Sequence, residues 1–140
     1  MSDFGGSRWV TRLFAGLISV MLLGCQASVV ETTRVTGLVT INGKPVELGV
    51  ISFEPEVASE HSATAEIHKG VFAIDSPRGT RRISIMAYRT AQGLGPDGKP
   101  YLEQYLPAKF NSESDRLFEV DYTPMVDQTF ELTWSDSKPK

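Results

Sequence analysis

Arg34-Val35-Thr36-Gly37-Leu38-Val39-Thr40-Ile41-Asn42-Gly43-Lys44-Pro45 is the stretch whose reading decides the fold. Val35, Gly37, Val39 and Ile41 fall on one side, with Thr36 and Thr40 among those opposite. A period of two is the mark of a half-buried strand. Asn42-Gly43 follows at once, and this dipeptide adopts the positive φ angles of a tight hairpin turn. Lys44-Pro45 then leads toward a second strand at residues 49–54, with Ile51 and Phe53 inward and Pro55 ending it.

The same alternation runs on. Residues 62–68 place Ala63, Ala65 and Ile67 on one side, and Lys69-Gly70 turns the chain into residues 71–75, where Phe72 and Ile74 share a face. Pro77-Arg78-Gly79 makes another bend before residues 80–89, whose inward set is Ile83, Ile85 and Ala87. Phe118 with Val120, and then Phe130, Leu132 and Trp134, mark the last two strands. No stretch beyond the N-terminal segment carries a helical stripe. Seven short strands with turn signals between them predict an all-β, antiparallel sandwich.

Residues 90–115 interrupt the pattern. Gly93 and the cluster Gly95-Pro96-Asp97-Gly98-Lys99-Pro100 are expected to hold no regular strand. Tyr101, Leu102, Tyr105 and Leu106 add apolar weight before Pro107. Two roles suit such a segment: its aromatics lid an open end of the sandwich, or they form a ligand-binding loop.

The N-terminus reads differently. Arg8 and Arg12 precede an apolar run at residues 13–23, which ends in Gly24 and the single cysteine, Cys25. A bilayer-spanning helix needs about twenty apolar residues, and this run is roughly half that. A cationic flank, a short apolar core and a small residue before the cut describe a secretory signal. Leu22-Leu23-Gly24-Cys25 resembles the bacterial lipobox, with Leu23 standing where that pattern usually has Ala or Ser. The resemblance implies cleavage between Gly24 and Cys25 and a diacylglyceryl group on the Cys25 thiol. The chain then divides into a signal peptide (1–24), a lipidated cysteine and short tether (25–33), and a β-sandwich domain (34–140). The eight tether residues 26–33 reach at most about 28 Å.

Composition narrows the partners. Residues 25–140 carry 12 basic and 16 acidic side chains. That mild acidity gives no electrostatic case for nucleic acid, and it supplies no polybasic second anchor. One cysteine allows no intramolecular disulfide, so apolar packing alone must build the core.

The order of strands and turns resembles the carboxypeptidase regulatory-like, or transthyretin-like, domains of small planctomycete lipoproteins. The stretches that carry the resemblance are Val35-Thr36-Gly37-Leu38-Val39 with Asn42-Gly43-Lys44-Pro45, then Val50-Ile51-Ser52-Phe53-Glu54-Pro55. Gly70-Val71-Phe72, Pro77-Arg78-Gly79 and Leu106-Pro107-Ala108-Lys109-Phe110-Asn111 follow in order. What it implies is a seven-stranded Greek-key sandwich of prealbumin type, without an assigned activity.

Chemistry-bearing residues are sparse. His61 and His68 are seven apart and would point to opposite faces of one strand; no Cys or His-x-His accompanies them, so no metal site is expected. The intradiol dioxygenases hold iron with two Tyr and two closely spaced His, a pairing absent here. The transthyretin-like hydroxyisourate hydrolases end in Tyr-Arg-Gly-Ser, whereas this chain ends in Lys138-Pro139-Lys140. No Gly-x-Ser-x-Gly elbow marks a nucleophile. Asp97-Gly98 reads as a turn and not a calcium loop, and Arg81-Arg82 alternates across a strand. The expectation is therefore a non-enzymatic, cofactor-free module of the bacterial cell envelope, anchored to a membrane through Cys25 on the periplasmic or outer-membrane side. It would serve a structural role or bind an envelope protein. The alternative is a small-ligand or glycan-binding lipoprotein that uses Tyr101 and Tyr105 in the aromatic region opened by Tyr88.

Overall fold

Asn42 and Gly43 hold φ angles of 51° and 78°, the paired left-handed geometry of a tight hairpin turn. In the computed structural model, which describes residues 29–58 and 60–135, this turn folds β1 (Thr32–Ile41) onto β2 (Lys44–Pro45). Gly24, Cys25 and the segment 1–24 lie outside the described residues. β2 is short because Pro45 has no N–H with which to extend the ladder. The chain then passes a second left-handed turn, Lys69-Gly70, whose amides donate to the carbonyls of Glu47 (3.0 Å) and Val46 (2.6 Å).

The remaining strands are β3 (Leu48–Pro55), β4 (Ala63–His68), β5 (Val71–Pro77), β6 (Gly79–Leu94), β7 (Pro100–Gln104), β8 (Leu117–Val120) and β9 (Met125–Leu132). The one helical piece among the described residues is a 3-10 turn, Ala108–Phe110. All strands join a single curled sheet in the order β2-β1-β5-β4-β3-β6-β7, with β8 on β6 and β9 on β1. The fold is all-β, as the alternation predicts. The first hairpin does not bring the strand at 49–54 beside the first: β5 covers β1 from Thr32 to Leu38, and β3 lies between β4 and β6.

Nine strands form where the alternation predicts seven, because the short β2 and the arm strand β7 join the set, and two further expectations about strands are corrected. The pairing is not antiparallel throughout, since β9 runs parallel to β1. The turn after β8 delivers the chain to the end where β1 begins, and the Thr33 hydroxyl donates to the Asp121 carbonyl there at 2.6 Å. β9 must therefore set out beside Val35 in the same direction. The second correction falls on residues 90–115, where a regular strand exists. β6 continues to Leu94 and pairs with β7 through Tyr88–Gln104, Arg89–Glu103 and Thr90–Leu102, then Leu94–Pro100 after a register shift. The Gly/Pro cluster ends these strands without preventing them. Gly98, at φ 73°, closes the tip with its N–H on the Gly95 carbonyl at 2.9 Å.

The inward faces match the sequence pattern. Val35, Val39, Ile51, Phe53, Ile67, Phe72, Ile74, Ile83, Ile85, Ala87, Val120, Phe130 and Leu132 are all buried. Phe53, Phe72, Phe118 and Phe130 meet across the curl with ring centroids 5.4–6.4 Å apart, the tilted and edge-on range favoured by aromatic pairs. Gly37 permits the approach of β9. A Cβ there would lie 1.9 Å from the Gln128 carbonyl oxygen, beside the register shift where Asp127 adopts φ 56°.

Phe72→Ala should cost about 3–5 kcal/mol, the range for emptying an aromatic core site. Val71→Ala, one residue earlier and on the exposed face, should stay within about 0.5 kcal/mol. Urea melts of the two variants read the difference, and equal losses would reverse the inward register of β5.

Candidate functional site

The two ends of the curled sheet differ in chemistry. At the proximal end the described chain enters from Val29 and starts β1, and three connections gather around it. These are residues 56–58 and 60–62 between β3 and β4, Arg78 between β5 and β6, and residues 121–124 between β8 and β9. Arg81 occupies an inward position of β6, in the same parity as Ile83, Ile85 and Ala87, and is only 3% exposed. An isolated guanidinium so deeply placed would be costly, yet its donors are used. Nη1 faces Glu60 Oε2 at 3.0 Å and donates to the His61 carbonyl at 3.4 Å. Nη2 donates to the Arg78 carbonyl at 2.6 Å, and Nε to the Pro77 carbonyl at 3.2 Å.

Arg78 extends this cluster toward solvent. Its guanidinium lies 4.7 Å from the centroid of the Tyr122 ring, pairs with Glu31, and donates from Nε to the Thr33 hydroxyl at 3.5 Å. Together the two arginines tie the incoming strand to all three connections. Their own carboxylates and carbonyls already engage them, so the cluster acts as a clamp on the proximal end. Sequence reasoning missed Arg81, although the signal is there: period-two parity places Arg81, and not Arg82, among the core positions. Arg82 points outward and pairs with Glu54.

At the distal end β6 continues for seven residues past Ala87, the last to pair with β3, and is held there by β7. This two-stranded arm displays Leu94, Tyr101 and Leu102, each about half exposed or more. Tyr101 and Tyr105 fall on the same face but in different surroundings. Tyr101 is 49% exposed near the tip. Tyr105 packs against the core edge, 6.3 Å from the Trp134 ring, with the Arg89 guanidinium 5.1 Å from its centroid. Burial pushes the Tyr105 phenol above its usual pKa, and Arg89 works in the opposite direction. Between the two tyrosines, Arg89 Nε reaches Glu103 Oε1 at 2.7 Å.

His61 and His68 stand at opposite ends of β4, one at the proximal clamp and one on the outer face, where Nε2 lies 2.8 Å from Glu66 Oε2. Among the described residues no three His, Cys, Asp or Glu side chains are grouped to hold a metal ion. Asp97 accepts the Lys99 N–H at 3.2 Å, which is the work of a turn residue.

No family model matches the chain, and no curated protein matches it. A solved structure, a 9R-lipoxygenase from Cyanothece PCC8801, aligns with 74% of this chain and 16% of its own length, at 11% identity and a TM-score of 0.37. A likeness that slight carries no argument about fold or activity.

Arg81→Ala should destabilise the protein by about 3 kcal/mol, because it strips a buried cation site of its donors and leaves carbonyls unpaired. Glu60→Ala, whose carboxylate is half exposed, should cost less than about 1 kcal/mol. Comparable losses in chemical denaturation would mean that the ion pair, and not the carbonyl clamp, is what holds this end. Replacing His61 and His68 together by Gln should leave stability within about 1 kcal/mol, and elemental analysis should find no stoichiometric zinc, iron or copper.

Proposed function

We propose that this chain is a lipid-anchored module of the bacterial cell envelope, folded as a Greek-key sandwich of transthyretin-like kind and serving as a structural or protein-interaction domain. The observation that carries the reading is Leu22-Leu23-Gly24-Cys25 followed so soon by folded chain. Cys25 precedes the first strand residue, Thr32, by only seven positions, a reach of about 25 Å at most. A lipid on Cys25 would hold the proximal end close to a membrane surface. The arginine clamp suits that role, since it braces the strand through which any pull on the anchor is transmitted.

The distal arm would then face away from the membrane. Its exposed Leu94, Tyr101 and Leu102, on a hairpin whose outer strand edge is unpaired among the described residues, offer apolar contacts and backbone groups to a protein partner. A sugar platform needs free ring faces, and the Tyr105 ring is already engaged by Trp134 and Arg89. That favours a protein partner over a glycan.

Cells expressing the full chain should incorporate labelled palmitate and carry the protein in the membrane fraction. Cys25→Ser should lose both. Label entering the variant would overturn the anchor.

A further inference from the structure

We propose that the gap between β6 and β9 is a binding site for a small amphiphilic anion, an organic carboxylate with an apolar body. β6 pairs with β8 as far as Arg82 and with β7 only from Tyr88. Residues 83–87 therefore lack a strand on that edge. The chain between β7 and β8 fills the place, anchored at both ends by the Tyr105 N–H on the Ala87 carbonyl (3.1 Å) and the Ile83 N–H on the Arg116 carbonyl (2.8 Å). Beneath it lies a cavity of about 350 Å³, within the range of small-molecule sites. Ile83, Ile85 and Leu132 form its floor, and Lys109, Phe110 and Arg116 its rim.

Charge selects the ligand. Arg34, Arg78, Arg81, Arg82 and Arg89 each pair with a carboxylate. Arg116 does not pair with one among the described residues: its Nη2 donates to the Glu131 carbonyl at 3.2 Å, and the guanidinium lies 5.9 Å from the Phe130 ring centroid. Lys109 has no carboxylate within ion-pair distance among the described residues, and its Nζ sits 4.7 Å from the Phe110 centroid. Asp115 is the single acid of the lining and pairs with neither cation. Two cations against one acid leave the lining net positive over an apolar floor, which suits a carboxylate head and a hydrocarbon body.

The rim is already in shape. Asn111 Nδ2 donates to the Pro107 carbonyl at 3.2 Å, and the Asn111 Oδ1 accepts the Ser112 N–H at 2.8 Å. The buried Ser114 hydroxyl donates to the Ile83 carbonyl at 2.6 Å, fixing the strap to the edge it covers. Organising such a site around a ligand would cost little.

Equilibrium dialysis of labelled 4-phenylbutyrate against the full chain, with a detergent-only chamber as blank, tests the assignment. Saturable binding of one molecule per chain is expected. Lys109→Gln and Arg116→Gln should each weaken it about tenfold, as loss of one charge-assisted contact predicts. 4-Phenylbutylamine, with the same body and the opposite charge, should not bind. Val71→Ala, on the exposed face of β5, should leave the affinity unchanged. Absence of saturable binding, indifference to both cation variants, or equal binding of the amine would overturn the proposal. Lys109 is exposed and its variant keeps the fold, so that arm is decisive even if Arg116→Gln unfolds.

Discussion

Four phenylalanines hold the sheet in its curl. Phe53 on β3 and Phe72 on β5 come from strands separated by β4, while Phe118 and Phe130 come from β8 and β9 at the two far edges. No ladder of backbone hydrogen bonds joins β8 to β9 among the described residues. Ring contacts do that work, assisted by the Arg116 guanidinium on the Glu131 carbonyl. A flat sheet of these strands would expose one whole apolar face to water, and curling it buries that face on itself. The turns, the strap between β7 and β8, and the close approach of β9 to Gly37 all serve this closure.

Where the curl ends, polar chemistry takes over. The proximal end cannot be sealed by apolar residues alone, because three connections and the incoming chain bring backbone carbonyls there. Arg81 supplies several donors from one side chain and so satisfies Pro77, Arg78 and His61 together. The far end is finished by Asn42, whose side-chain amide bonds both the carbonyl and the N–H of Trp134. One residue thus makes the first turn and pins the chain after the last strand. Electrostatics elsewhere is local: Arg34 with Asp75, Arg82 with Glu54 and Arg89 with Glu103 are cross-strand neighbours, worth a few tenths to about 1 kcal/mol each. Arg116 stands apart from this pattern, and its unclaimed charge is what makes the gap at β6 a ligand site.

The proposed anchor on Cys25 would divide the labour between the two ends of the sheet. The proximal end would bear load, and the arm would reach for a partner. The cavity between β6 and β9 lies along the wall between them, where occupancy would stiffen the strap that leads out of β7.

Much of this protein is legible in the order of its amino acids. Inward and outward positions on β1, β3, β4, β5 and β6 follow from alternation, since the pleat projects successive side chains to opposite faces whatever their neighbours. Asn42-Gly43 and Lys69-Gly70 announce their turns, because few other dipeptides accept two positive φ angles. The reading of Cys25 rests on sequence alone. Strand neighbours are another matter. Nothing local tells β1 to pair with β5 and β9 and not with β3; that choice depends on where the whole chain can bring Phe118 and Phe130 to cover Phe53 and Phe72. The arm escapes a sequence reading because Gly95, Pro96 and Gly98 look the same whether they break a strand or turn between two. Only the tertiary structure separated Tyr101 from Tyr105, gave the inward Arg81 its carbonyl partners and left Arg116 without a carboxylate among the described residues. Burial and pairing belong to side chains meeting from distant parts of the chain, whereas alternation and turn geometry are settled between adjacent residues.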